Sequence, residues 1–131
     1  MKKVLLIASI FCCFGVISIQ TASAQKISLP SPDFKKDMSG VFSPENDLNI
    51  DNSKKDELKS ANNQFFDEVL KIAGSSESDE KKRKSLMELG KKQSGVFSNI
   101  LGENTAKQYK KTIKKKIRPF KTKYKLATLI L

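Results

Sequence analysis

The carboxylate pairs Asp67–Glu68 and Asp79–Glu80 are the residues whose types best suit general acid–base chemistry. Their spacing argues against it. Neighbours on a helix point about 100° apart, and lysines stand close to both pairs, so the pairs read as solvated helix faces. The chain has no histidine, and its two cysteines are Cys12 and Cys13. Without histidine, neither a Ser-His-Asp nor a Cys-His arrangement can be assembled. "DNSKKDE" at Asp51 to Glu57 lacks the glycine and closing glutamate of a calcium loop. "NSK" at Asn52 to Lys54 and "LGK" at Leu89 to Lys91 fit no nucleotide motif. This inventory points to a protein that is not an enzyme and calls for no cofactor or metal.

Binding is the chemistry that remains. From Asn104 to Lys125 the chain reads "NTAKQYKKTIKKKIRPFKTKYK", with nine lysines and one arginine, and no acidic residue follows Glu103. Residues 25–103 hold 13 basic and 14 acidic side chains, so the net charge of a +11 chain is concentrated at one end. The candidate anion- or client-binding residues are Lys107, Lys110, Lys111, Lys114, Lys115, Lys116, Arg118, Lys121, Lys123 and Lys125. Ten positive charges without one acid exceed the ordinary mixing of signs on a soluble surface. Such a field attracts anionic partners by charge density rather than through any single residue.

The elements that position this segment follow an export signal. Lys2 and Lys3 precede an apolar run from Val4 to Ile19, and Ala22-Ser23-Ala24 offers the small-x-small pattern of a cleavage site. The run is short for a spanning helix, which needs about 20 apolar residues. Residues 1–24 are therefore expected to be a signal peptide removed after Ala24, leaving a periplasmic or secreted chain of 107 residues. Both cysteines leave with it, so no disulfide or thiol chemistry is expected in the mature protein. Export also argues against nucleic acid as partner, although Tyr109, Phe120 and Tyr124 interleave with lysines as stacking residues do.

Hydrophobic spacing predicts an all-α fold, a small bundle of three to four helices arranged as hairpins. Residues 25–32 ("QKISLPSP") form an extended lead-in, and residues 33–131 form the helical domain, with its basic segment at 104–125. Phe34, Met38, Val41 and Phe42 make one face of a short first helix. A second helix is expected over Asn52 to Ala73 on the stripe Leu58, Ala61, Phe65, Val69 and Ile72, ending at a left-handed Gly74. A third runs from about Ser78 to Leu101, capped by Ser76 or Ser78, with Gly90 and Gly95 allowing close contact or a bend. Asn104 or Thr105 should cap a fourth helix carrying Ala106, Tyr109, Ile113 and Ile117, which stops or kinks at Pro119. The closing "FKTKYKLATLIL" is expected to pack back on the bundle.

One frame recurs. "IDNSKKDEL" (Ile50 to Leu58) and "LGENTAKQY" (Leu101 to Tyr109) each place an apolar residue before a cap region and another apolar residue eight positions on. The frame is similar to the LTxxQ motif, which the Spy/CpxP family of periplasmic chaperones carries twice, each at a helix start. Asp51 and Lys54 stand where that family has threonine and glutamine, and Gly102 and Thr105 take those places in the second copy. The resemblance implies a basic, all-helical, ATP-independent chaperone that dimerises into a cradle and shields unfolded clients on a positive face. A homodimer rests on that resemblance alone.

Two functional classes follow. One is a chaperone-like or stress-response module of the cell envelope, binding unfolded or acidic protein clients through a basic face beside apolar patches. The other is an envelope tether whose stripe Ala106, Tyr109, Ile113 and Ile117 lies on anionic lipid or polymer as an interfacial helix. Against both stands the solvated outer face of a bundle helix, and a membrane-lytic fragment released by proteolysis is a further cationic option.

Overall fold

The computed structural model describes residues 26–131; the expected signal peptide and cleavage site lie outside them. The described residues are all-α and contain no strand. Four helices, α1 (Phe34–Val41), α2 (Asn52–Ala73), α3 (Asp79–Leu101) and α4 (Glu103–Lys116), are followed by 3-10 turns at Arg118–Phe120 and Lys125–Thr128. α1 packs on α2, α2 on α3 and α3 on α4, giving two successive hairpins around one core.

Sequence phase explains each buried face. Leu58, Phe65 and Val69 of α2 meet Leu86, Leu89 and Phe97 of α3, and Ala106, Tyr109 and Ile113 of α4 close the seam. The rings interlock edge-to-face: Phe42 on Phe66 at 5.0 Å and Phe97 on Tyr109 at 4.9 Å between centroids. Such pairs contribute about 0.5–1.5 kcal/mol beyond their area burial. Residues 126–130 pack back on the bundle, with Leu126, Ala127 and Ile130 buried.

The helix ends depart from expectation in two places. Gly74 is right-handed (φ −85°, ψ −3°), because the turn to α3 continues through Gly74 and Ser75 with backbone bonds to Leu70 and Ile72. Neither Asn104 nor Thr105 caps α4. The helix begins at Glu103, and the reversal from α3 is made by Gly102 at φ +78°, a conformation that a β-carbon disfavours. Ser78 does cap α3, accepting from the Lys81 N–H at 3.4 Å. Both copies of the recurring frame open a helix: Ile50 and Leu101 are buried just before α2 and α4, and Leu58 and Tyr109 are buried eight residues on.

Candidate functional site

α4 presents two stripes. Ala106, Tyr109, Ile113 and Ile117 are wholly buried in the bundle. The apolar face expected of an interfacial helix is therefore already occupied by the core, a correction to that part of the sequence reading. The outward stripe is Lys107, Lys110, Lys111 and Lys114, at i, i+3, i+4 and i+7 along the helix.

These four lysines form one wall of a groove between α3 and α4, of about 470 Å³. Gly90, Gln93, Ser94 and Phe97 line it from α3, and Ile130 and Leu131 close one end. Among the described residues no acidic side chain lines it. Lys110 is anchored to its floor by a 2.9 Å bond from Nζ to the Ser94 hydroxyl, which leaves its charge uncompensated. Cationic groups around a hollow steer an anion toward it. Phe97 and Ile130 beneath them are buried, so the apolar residue left open there is Leu131.

The fold does not keep the ten basic residues on one surface. Lys116 turns toward the segment after α1, donating to the Ser43 carbonyl at 3.0 Å and pairing with Glu45 at 3.3 Å. Lys123 pairs with Asp37 at 2.7 Å, and its Nζ lies 5.0 Å from the Tyr124 ring centre. The Lys123 ammonium and the Tyr124 hydroxyl both donate to Asp37, holding its carboxyl below the ordinary range, and the carboxylate in turn holds Lys123 protonated to unusually high pH. Lys115, Arg118 and Lys121 are exposed, with no ion pair among the described residues.

Lys123 and Lys125 line a second hollow of about 390 Å³ between the lead-in and the closing turns. It also gathers Lys26 and Arg83, two cations from distant parts of the chain that the sequence reading did not single out. Arg83 is half-buried and has no carboxylate within ion-pair distance among the described residues. Nothing in "KKRK" at 81–84 distinguishes it from its neighbours.

Two polar arrangements fix these walls. Gln93 donates to Asn62 at 3.0 Å, Asn62 donates to the Tyr109 hydroxyl at 3.0 Å, and Tyr109 donates to the Phe42 carbonyl. Burial pushes the Tyr109 hydroxyl up to about 12. Lys82, only 9% exposed, sends its ammonium to the Ala73 carbonyl at 2.9 Å and the Ile27 carbonyl at 3.3 Å. It satisfies the C-terminal end of α2, where a cation is favoured, and ties down the lead-in, whose Ile27 N–H also reaches Asp79 at 3.1 Å. Phase was the available clue: Lys82 continues the Leu86, Leu89, Gln93 stripe by one turn, and Asn62 falls between Leu58 and Phe65.

Phe120 and Tyr124, read as possible stacking residues, stack on each other at 6.3 Å, with Tyr124 buried. Among the described residues no three acidic, cysteine or histidine side chains gather as a metal site would require, and no described helix is long and apolar enough to cross a membrane. The chain matches no family model, no curated protein and no solved structure.

Proposed function

We propose that the protein is an exported, non-enzymatic binding module of the bacterial envelope that holds acidic or unfolded polypeptide clients without ATP. The observation that carries this reading is the α3–α4 groove, in which Lys107, Lys110, Lys111 and Lys114 stand beside the exposed Leu131 with no acidic side chain among the described residues that line it. Charge brings the client in, and weak apolar contact retains it. The recurring frame at the starts of α2 and α4 is consistent with a chaperone of the LTxxQ type.

The groove favours a client over the lipid tether, because the stripe that would enter a bilayer is already buried in the core. The test is light scattering of an acidic, chemically unfolded client as it aggregates, with purified protein and no nucleotide. Suppression at near-stoichiometric amounts, lost at high salt, is the expected result. Unchanged aggregation at excess protein contradicts the proposal.

A further inference from the structure

We infer that the hollow of about 390 Å³ between the lead-in and the closing turns is a second site, which takes a phosphate monoester on Lys26, Arg83 and Lys125. It shares no lining residue with the α3–α4 groove, so the inference stands apart from the client-binding reading.

Three distant parts of the chain each bring a cation here: Lys26 from the lead-in, Arg83 from α3 and Lys125 from the last 3-10 turn. Among the described residues none of the three pairs with a carboxylate, and no acidic side chain lines the hollow. The residues before Arg83 are engaged elsewhere. Lys81 pairs with Glu77 at 3.1 Å, and Lys82 serves the Ala73 and Ile27 carbonyls. Arg83 is left half-buried with a charge it cannot lose. A fourth lining cation, Lys123, is already held by Asp37.

The walls are fixed by bonds that leave those three cations free. The Ile27 N–H donates to Asp79 at 3.1 Å, and its carbonyl accepts from Lys82 at 3.3 Å. The Tyr124 hydroxyl donates to Asp37 at 2.7 Å, and the Thr128 hydroxyl donates to the Lys125 carbonyl at 2.9 Å. Asp79 and Asp37 are thus turned to the Ile27 N–H and to Lys123 and Tyr124, and neither lines the hollow. A site whose walls are held in this way loses little freedom when a ligand binds.

Charge and donors select the ligand. A phosphate monoester carries about −1.5 to −2 charges near pH 7 and three strong acceptor oxygens. Three cations can answer that charge, with Arg83 able to give two parallel N–H bonds. The exposed Ser28 and Thr122 hydroxyls on the same walls supply further donors. A single carboxylate would leave most of the positive charge unmet. The apolar lining residues Ile27, Tyr124 and Leu126 are all buried, so an apolar ligand finds little open surface there. Such a phosphate is presented either by a small free monoester or by a lipid headgroup, and the recognition chemistry is the same for both.

The experiment has two arms, both at low salt in a buffer free of phosphate: calorimetric titration with glycerol 3-phosphate, and co-sedimentation with phosphatidylcholine vesicles that contain phosphatidic acid. Three variants are compared with the parent: Arg83→Gln, Lys26→Gln with Lys125→Gln, and Lys107→Gln with Lys114→Gln as a control in the groove. Circular dichroism checks each fold. Lys26 and Lys125 are exposed, so that pair tests the site even if Arg83→Gln misfolds. Saturable binding in at least one arm is expected, weakened on the order of tenfold by Arg83→Gln and by the Lys26–Lys125 pair. The groove control should bind as the parent does, and acetate should not compete. Binding of glycerol 3-phosphate assigns the site to a free monoester; binding of the vesicles alone assigns it to a headgroup. No binding in either arm, equal weakening by the groove control, or equal competition by acetate overturns the inference.

Discussion

The backbone of Ile130 rests directly on Gly90: a β-carbon added to Gly90 would lie 2.5 Å from the Ile130 carbonyl oxygen. This contact seats residues 126–131 on α3 and so shapes the groove and the hollows beside it. Gly95, five residues further along the same helix, has open space where its β-carbon would be.

The two glycines should therefore respond in opposite ways to alanine. Gly95→Ala gains helix propensity of about 1 kcal/mol with nothing to displace. In Gly90→Ala the same gain is outweighed by a clash with backbone, and overpacking of this kind costs about 1–3 kcal/mol. Thermal denaturation should place Gly95→Ala above the parent and Gly90→Ala below it. In Gly90→Ala, amides of residues 126–130 should also exchange hydrogen faster. Equal melting of the two variants would show that the segment is not seated on Gly90.

Lys82→Met keeps most of the side-chain volume and removes the ammonium that serves Ala73 and Ile27. Leaving buried carbonyls without a donor costs roughly 1–3 kcal/mol. The lead-in should loosen with it, so that trypsin cuts after Lys26 faster than in the parent. Unchanged melting and cleavage would mean that Lys82 does not hold the lead-in.

Tyr109 couples stability to alkaline pH. Its hydroxyl titrates near 12 in the folded protein against an ordinary 10, so between those values the unfolded chain has lost the proton and the folded chain keeps it. Stability from this group is complete below pH 10 and falls as pH rises toward 12, by roughly 2–3 kcal/mol in all. Tyr109→Phe should flatten that part of the pH profile. It should also cost about 1–3 kcal/mol at neutral pH, because the Phe42 carbonyl and Asn62 each lose a partner. Denaturant melts across the pH range measure both effects.

How much of this was legible in the sequence depended on whether an inference needed one helix or two. The stripe Leu58, Phe65, Val69 is a property of one helix, and α2 lies where its spacing placed it. The break before Pro119 was equally local. Gly102 was read as part of a short break and not as the turning residue, because its positive φ is set by the way α3 and α4 pack. The basic segment was legible as a concentration of charge, but its division was not. Lys116 and Lys123 are diverted to Glu45 and Asp37, partners more than seventy residues away. Arg83 joins Lys125 only because residues 126–131 return to α3.

The salt dependence of acidic-client binding, measured in parallel on the parent and on a variant with Lys107, Lys110, Lys111 and Lys114 all changed to glutamine, separates a binding groove from a solvated helix face. Lys116 is left in place because it pairs with Glu45 and is not part of the groove. Glutamine and lysine have similar helix propensities, so helix content should not change. The parent should bind at low salt and weaken steeply as the Debye length shrinks from about 10 Å at 0.1 M to about 3 Å at 1 M. The variant should bind at least an order of magnitude more weakly and show a flatter salt response. Equal binding by the two proteins, or binding by the parent that ignores salt, would contradict the binding groove and leave the lysines as a solvated face of the bundle.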